Sequence, residues 1–303
     1  MEVSEISHRI IADLLTARSG QQLTESRRWR ITSALGGIFR DRGITNTDQL
    51  VCLLAEPHGD QLAREVVEAL LNNETYFFRD RVMFALLDTH ALPALAKKRA
   101  SSKRLSIWSA GCSTGQEALS LAMMFVEQPQ RWAGWQIDIF GTDVSAAAIR
   151  TAKRGCYSQF EIQRGLGISQ MIAHFRETPE GWQAKRNLQR MIRFKVGNIL
   201  DPAGELQRHD LVLCRNVLLY FDEVTRERAF KRLAQNMAQD GLLMLGAGET
   251  TVGRTGTFKP SRGMQGLYTK ASPELIANRW NTESRPARAD FLATASTARK
   301  STQ

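Results

Sequence analysis

Ile107-Trp108-Ser109-Ala110-Gly111-Cys112-Ser113-Thr114-Gly115-Gln116-Glu117-Ala118-Leu119-Ser120-Leu121-Ala122 passes from an apolar run through small residues into a second apolar run. It reads as a strand, a tight loop and a helix. A loop of small residues lets backbone approach a ligand closely, and the helix that follows begins with N–H groups that have no partner inside it. About thirty residues further on, Ile139-Phe140-Gly141-Thr142-Asp143 is an apolar strand ending in a carboxylate, where a nucleotide-binding sheet sets an acid against ribose hydroxyls. The glycines keep neither the G-x-G-x-x-G spacing of dinucleotide sites nor the G-x-x-x-x-G-K-[ST] of phosphate loops. The expected ligand therefore has a ribose and no pyrophosphate, and S-adenosyl-L-methionine fits that description.

Outward from this pair of strands the same rhythm continues. Short apolar runs at 105–109, 137–142, 192–196, 211–214 and 242–245, separated by helical stretches, predict an α/β fold: a Rossmann-like parallel sheet covered by helices. The first 74 residues read differently. Ile6, Ile10, Ile11, Leu14 and Leu15 recur at helical spacing, as do apolar positions over 29–39, 47–54 and 62–71, with Asn46-Thr47-Asp48 as a helix start and residues 56–60 as a turn. A small N-terminal all-α domain over 1–74 is expected, followed by a catalytic domain over 75–274. The crossover between the second and third strands is too long for one helix. Its surplus, about 165–192, is read as an insertion in which Pro179-Glu180-Gly181 turns a β hairpin or three-stranded ribbon. From 275 to 303 the core pattern is gone and a disordered tail is expected.

Composition narrows the function classes. The chain has 303 residues, 43% hydrophobic and 24% charged, which suits a globular protein of two domains. No segment approaches the ~20 apolar residues of a membrane span, and the start lacks a signal-peptide core, so a cytoplasmic location without membrane insertion is expected. Cys52, Cys112, Cys156 and Cys214 lie far apart and away from the five histidines. They read as free buried thiols, and no metal site is expected. The net charge of +10 is uneven: residues 1–74 carry 8 Lys or Arg against 11 Asp or Glu, whereas residues 150–195 carry 10 against 3. No basic run interleaved with aromatics marks a nucleic-acid tail, so an acidic protein partner explains the charge as well as RNA does.

Three further stretches carry chemistry. Phe194-Lys195-Val196-Gly197-Asn198-Ile199-Leu200-Asp201 places polar residues after the third strand, where an adenine edge could be read. Asp210-Leu211-Val212-Leu213-Cys214-Arg215-Asn216-Val217-Leu218-Leu219-Tyr220-Phe221-Asp222 runs from a buried strand into polar residues at its carboxyl end, the ligand side of an open α/β sheet. Leu71-Asn72-Asn73-Glu74-Thr75-Tyr76-Phe77-Phe78-Arg79-Asp80 joins the two domains; Tyr76, Phe77 and Phe78 read as a wedge between them.

Together these stretches resemble the CheR family of chemotaxis receptor methyltransferases, in its order and spacing, from the helical domain to about Tyr268. The resemblance implies that Asn73, Thr75, Arg79, Glu117, Asp143, Asn198, Ile199, Arg215 and Asn216, with Gly111 in the loop, contact S-adenosyl-L-methionine and its product S-adenosyl-L-homocysteine. Arg79 and Tyr220 would lie by the transferred methyl and act in catalysis. It also implies a monomer that esterifies glutamates in the cytoplasmic domains of methyl-accepting chemotaxis-type receptors. Two features depart from the family. The glycine loop continues Gln116-Glu117-Ala118-Leu119-Ser120, and Ser33-Ala34-Leu35-Gly36-Gly37-Ile38 stands where the second helix is often strongly basic.

Glutamate O-methylation agrees with the residues present, because a glutamate side chain, with an ordinary pKa of about 4.3, is already a nucleophile at neutral pH and needs no base. Two other classes compete. A nucleic-acid N-methyltransferase would follow its fourth strand with an Asp- or Asn-Pro-Pro-aromatic turn, unlike Arg215-Asn216-Val217-Leu218. A non-catalytic, cofactor-sensing scaffold would not need Arg79, Asp143 and Tyr220 together.

Overall fold

The computed structural model describes residues 4–202, 208–264 and 266–271. Four helices open the chain: α1 (Glu5–Ser19), α2 (Trp29–Arg42), α3 (Thr47–Leu54) and α4 (Gly59–Leu70). Ser4 and Asn46 cap α1 and α3 by accepting from the N–H of Ser7 and Gln49, and α1 and α2 end on Gly20 and Gly43 with φ of 82° and 66°. Ile11, Leu15, Ile31, Leu35, Leu50, Val66 and Leu70 form the cluster these helices share. The turn expected over 56–60 ends sooner: Gly59 and Asp60 already belong to α4, where Asp60 meets the positive end of the helix.

A helical stretch follows, α5 (Arg81–Leu86), a π-turn at Leu87–Ala91 and α6 (Leu92–Lys98), and leads into the sheet. The core then alternates β1 (Arg104–Ala110), α7 (Gln116–Val126), β2 (Gln136–Asp143) and α8 (Ala146–Arg154). The excursion after α8 contains β3 (Cys156–Tyr157), α9 (Gln159–Gln163), α10 (Ile168–His174), β4 (Phe175–Thr178), β5 (Gly181–Ala184) and α11 (Arg186–Gln189). It forms a separate antiparallel sheet in the order β3-β5-β4, with residues 179–180 turning β4 into β5. Its first strand thus comes from residues before 165, close behind α8. The main sheet resumes with β6 (Ile192–Val196), β7 (His209–Cys214), α12 (Glu223–Gln235), β8 (Met237–Leu245), β9 (Phe258–Pro260) and β10 (Leu267–Lys270).

The main sheet runs β6-β2-β1-β7-β8-β10-β9. Its first five strands are parallel, as the buried apolar runs require. The five expected runs thus form a parallel sheet, and two further strands extend it at the far edge, where β10 lies antiparallel to both β8 and β9. Those strands are three and four residues long, too short to show a period. Strand order reverses between β1 and β7, so a crevice opens at their carboxyl ends.

The aromatic motif also departs from expectation. Phe77 is fully buried and packs edge-on against Tyr157 and Phe175, at centroid distances of 5.2 and 5.4 Å, inside the core of the α/β portion. Phe78 packs against Phe84, and Tyr76 faces the crevice. The wedge is thus an anchor for the insertion: its ring edges meet neighbouring ring faces, the geometry such quadrupoles prefer. All four cysteines are free, and Cys52 is exposed whereas the other three are buried. The α3 register places Leu50 inward and Cys52 outward, which corrects the expectation of four buried thiols. Among the described residues no group of His, Cys, Asp and Glu could hold a metal, and no helix is long and apolar enough to cross a membrane. The tail expected from 275 lies outside the described residues.

Candidate active site

Several backbone segments meet at the reversal point. After β1 the chain bends through Gly111, Ser113 and Gly115, with φ of 82°, 50° and 96°. A Cβ on Gly111 would collide with Val217 Cγ2 from the loop after β7, so residue 111 admits that loop because it has no side chain. Asp143 ends β2 and fastens the turn: its Oδ2 accepts from the Ser113 N–H at 2.8 Å and its Oδ1 from the Ser145 N–H at 2.9 Å. Burial pushes its carboxyl above the usual carboxylate range, and the N–H groups of Ser145 and Ser113 oppose that shift. Each oxygen keeps a further lone pair for a ligand hydroxyl.

Glu117, in the first turn of α7, accepts from Ser109 Oγ at 2.7 Å and from Arg215 Nη1 at 3.0 Å. Arg215 is buried after β7, where its Nη2 donates to Asp80 at 2.6 Å and to the carbonyl of Arg79 at 2.7 Å, while its Nε has no partner among the described residues. This guanidinium ties the 72–80 segment to the sheet and leaves its buried Nε–H unspent. Asn216 holds φ at 60°. Tyr220 accepts from Asn72 Nδ2 at 2.5 Å, and the Arg27 guanidinium stacks 4.5 Å from its ring centroid. Arg79 donates to the carbonyl of Glu74 at 2.9 Å. Asn198 spans its own turn, accepting from Leu200 N–H at 3.0 Å and donating to the carbonyl of Arg18 at 3.3 Å. Burial, with Asp143 and Glu117 adding, holds the Cys112 thiol well above its ordinary value, so it stays neutral.

The crevice holds about 810 Å³ of empty space, a figure that counts the solvent in its open mouth. Asn73, Thr75, Arg79, Gly111, Glu117, Asp143, Asn198, Ile199, Arg215, Asn216 and Tyr220 all line it. The structure thus brings every residue singled out from the sequence to one cavity. It adds Ser19 and Gln21 from the end of α1, Asn72, and Ser113. Gly20 in its left-handed turn is the signal that α1 stops and bends there; nothing local marks Asn72 as the partner of a tyrosine 148 positions away. Asp80 stands in a quoted motif but its role as partner of Arg215 has no local signal, and Glu249 lies outside every motif, because each acts on groups distant in sequence.

The wall carries three carboxylates, two guanidiniums, amides and hydroxyls, and among the described residues no Lys. Such a donor set suits a ligand with vicinal hydroxyls and a cationic centre better than one with phosphates. Sheet order and cavity are those expected of an S-adenosylmethionine-dependent methyltransferase. Residues 73–267 match the family described as CheR methyltransferase, SAM binding domain. A chemotaxis protein methyltransferase of Vibrio anguillarum is 30% identical over 271 residues, covering 88% of this chain and 98% of that one. Chemotaxis protein methyltransferase 1 of Pseudomonas aeruginosa is 31% identical over 253 residues, 82% and 92% of the two chains. A probable biofilm formation methyltransferase of the same species, WspC, is 35% identical over 193 residues, 62% of this chain and 44% of that one. The chain belongs to the CheR methyltransferase family, and S-adenosylmethionine is its cofactor.

Proposed function

We propose that the chain transfers a methyl group to glutamate side chains in the cytoplasmic domains of methyl-accepting chemotaxis-type receptors, giving methyl esters and S-adenosyl-L-homocysteine. The observation that carries this reading is the chemistry of the cavity wall. Its cations are the guanidiniums of Arg79 and Arg215, and among the described residues it holds no His or Lys to serve as a general base at neutral pH. A nucleophile that arrives already ionised, as a glutamate does, needs none. The names of the relatives, chemotaxis protein methyltransferases, favour the same substrate class.

The bound cofactor supplies an electrophilic methyl on a sulfonium. Asp143 would accept from the ribose hydroxyls, Glu117 and the spare donor of Arg215 would face the amino-acid end, and Asn198 and Ile199 would border the base. Asn73, Thr75, Gly111 and Asn216 would complete the cradle with amide, hydroxyl and backbone groups. Arg79 would draw the substrate carboxylate in and orient it, and Tyr220, held by Asn72 and Arg27, would fix the approach opposite. Positioning and water exclusion at this wall are the main sources of acceleration open to it. Incubation with methyl-labelled S-adenosylmethionine and purified receptor cytoplasmic domains tests the reading. Label released by mild base identifies carboxyl methyl esters; base-stable label, or none on any receptor domain, overturns it.

A further inference from the structure

Glu249 follows β8, outside every motif quoted above, yet its carboxylate accepts from five backbone N–H groups. Oε2 takes those of Asn216 at 2.7 Å and Gly246 at 2.8 Å; Oε1 takes those of Val217, Leu218 and Leu219 at 3.0, 2.8 and 3.3 Å. A carboxylate offers about four lone-pair sites, so the four donors of the loop after β7 and the one from Gly246 together use its whole accepting capacity. Gly246 makes room for this: a Cβ there would lie 2.8 Å from Glu249 Oε2 and 3.0 Å from the Asn216 nitrogen. The loop so gripped carries Asn216 and Val217 and runs into Tyr220, all on the cavity wall, and its other side abuts Gly111.

We propose that Glu249 is a positioning residue: from behind the wall it holds the left-handed turn at Asn216 and the short helical turn at Leu218–Tyr220, and so sets the grip on the cofactor and the place of the Tyr220 hydroxyl. Its effect on cofactor binding stands on the structure, and its effect on turnover rests on the receptor-carboxylate reading. Glu249→Gln keeps the shape but turns one acceptor into an NH₂ group facing N–H donors that then lack a partner.

Hydrogen exchange and calorimetry on the full chain test this without any receptor. In Glu249→Gln, amide exchange at Asn216–Leu219 should quicken by about tenfold or more while the β1 and β2 amides stay protected, and the Kd for S-adenosyl-L-homocysteine should rise by about tenfold. Gly246→Ala, which changes no charge, should reproduce both effects by pressing a methyl against the same carboxylate. In a receptor assay, Glu249→Gln and Tyr220→Phe should combine to less than the product of their separate losses. Unchanged exchange at Asn216–Leu219, or affinity within about twofold of the parent in both variants, overturns the proposal. A parent chain that methylates no receptor overturns the substrate reading and leaves these two measurements to decide on Glu249.

Discussion

At the scale of the residue, the proposed function separates groups that would hold the cofactor from groups that would face the chemistry. Asp143→Ala removes the acceptor proposed for ribose and also strands the Ser113 and Ser145 N–H groups. Affinity for S-adenosylmethionine should fall by about 1.5–3 kcal/mol in calorimetry, with a lower melting temperature. Tyr220→Phe strands only the amide of Asn72, so turnover should drop while affinity holds. Full turnover at saturating receptor and cofactor would return Tyr220 to packing. His209 reports on the sheet instead. It is buried between Trp108 and Phe140, accepting from or donating to Ser106 Oγ at 2.9 Å, and burial, with Arg193 nearby, lowers its pKa from 6.5 to about 4. Protonation is thus disfavoured in the folded state, and the unfolded chain binds the extra proton between pH 6.5 and about 4. Stability is undiminished above pH 6.5 and falls as pH drops through that window. Between pH 7 and 5 the parent should lose about 2 kcal/mol more than His209→Gln, measured by urea unfolding.

At the scale of the element, α8 shows how two parts of the chain share one helix start. Ser145 caps it by accepting from the Ala148 N–H at 2.9 Å, and Glu68 on α4 accepts from the N–H of Ala146 and Ala147 at 3.1 and 3.2 Å. A carboxylate at this end is favoured by the helix dipole as well as by the free donors. Glu68→Ala should cost about 1–2 kcal/mol of unfolding free energy, read as a lower urea midpoint at unchanged slope. Helix and strand periods made the alternation of β1, α7, β2 and α8 legible in the sequence, because each buries an apolar face that leaves a period. Glu68 had no such mark: it sits on the polar side of an amphipathic helix, where a capping acid and a solvated one look alike. The two short closing strands were hidden for a different reason, since three or four residues are too few to show a period.

At the scale of the whole molecule, the site was more readable than the surface. Gly111, Asp143, Asn198, Arg215 and Asn216 lie at or just after strand ends, and strand ends were visible; the partners Asn72, Asp80 and Glu249 depend on contacts that only the folded chain supplies. Charge behaves in the opposite way, because its sum is plain in the sequence and its pairing is not. In the N-terminal helices Arg18, Arg28, Arg42 and Arg64 are all ion-paired with nearby acids. Across residues 150–195, of ten Lys and Arg, Arg164 is the one with an ion pair among the described residues, to Glu74 at 2.6 Å. Cations left unpaired project a field that draws an acidic partner. If glutamate-rich receptor helices are that partner, reversing Arg186, Arg190 and Arg193 together to Glu should lower kcat/KM and flatten its salt dependence, with cofactor affinity unchanged. An unaltered kcat/KM across a salt series would sink this docking model.

Two of those cations have a second consequence. Among the described residues β6 ends the sheet with one side unpaired, and Arg193 and Lys195 stand exposed along it; at the opposite margin β9 is three residues long and closes on Pro260. Short strands, prolines and charged side chains all discourage a foreign strand from adding itself to a sheet. Replacing Arg193 and Lys195 by valine would leave an apolar run from Ile192 to Val196 on an open margin, and light scattering should then rise with protein concentration. Glutamate at the same places would keep the margin charged and the protein dispersed, so reversal rather than neutralisation separates lost docking from the onset of self-association.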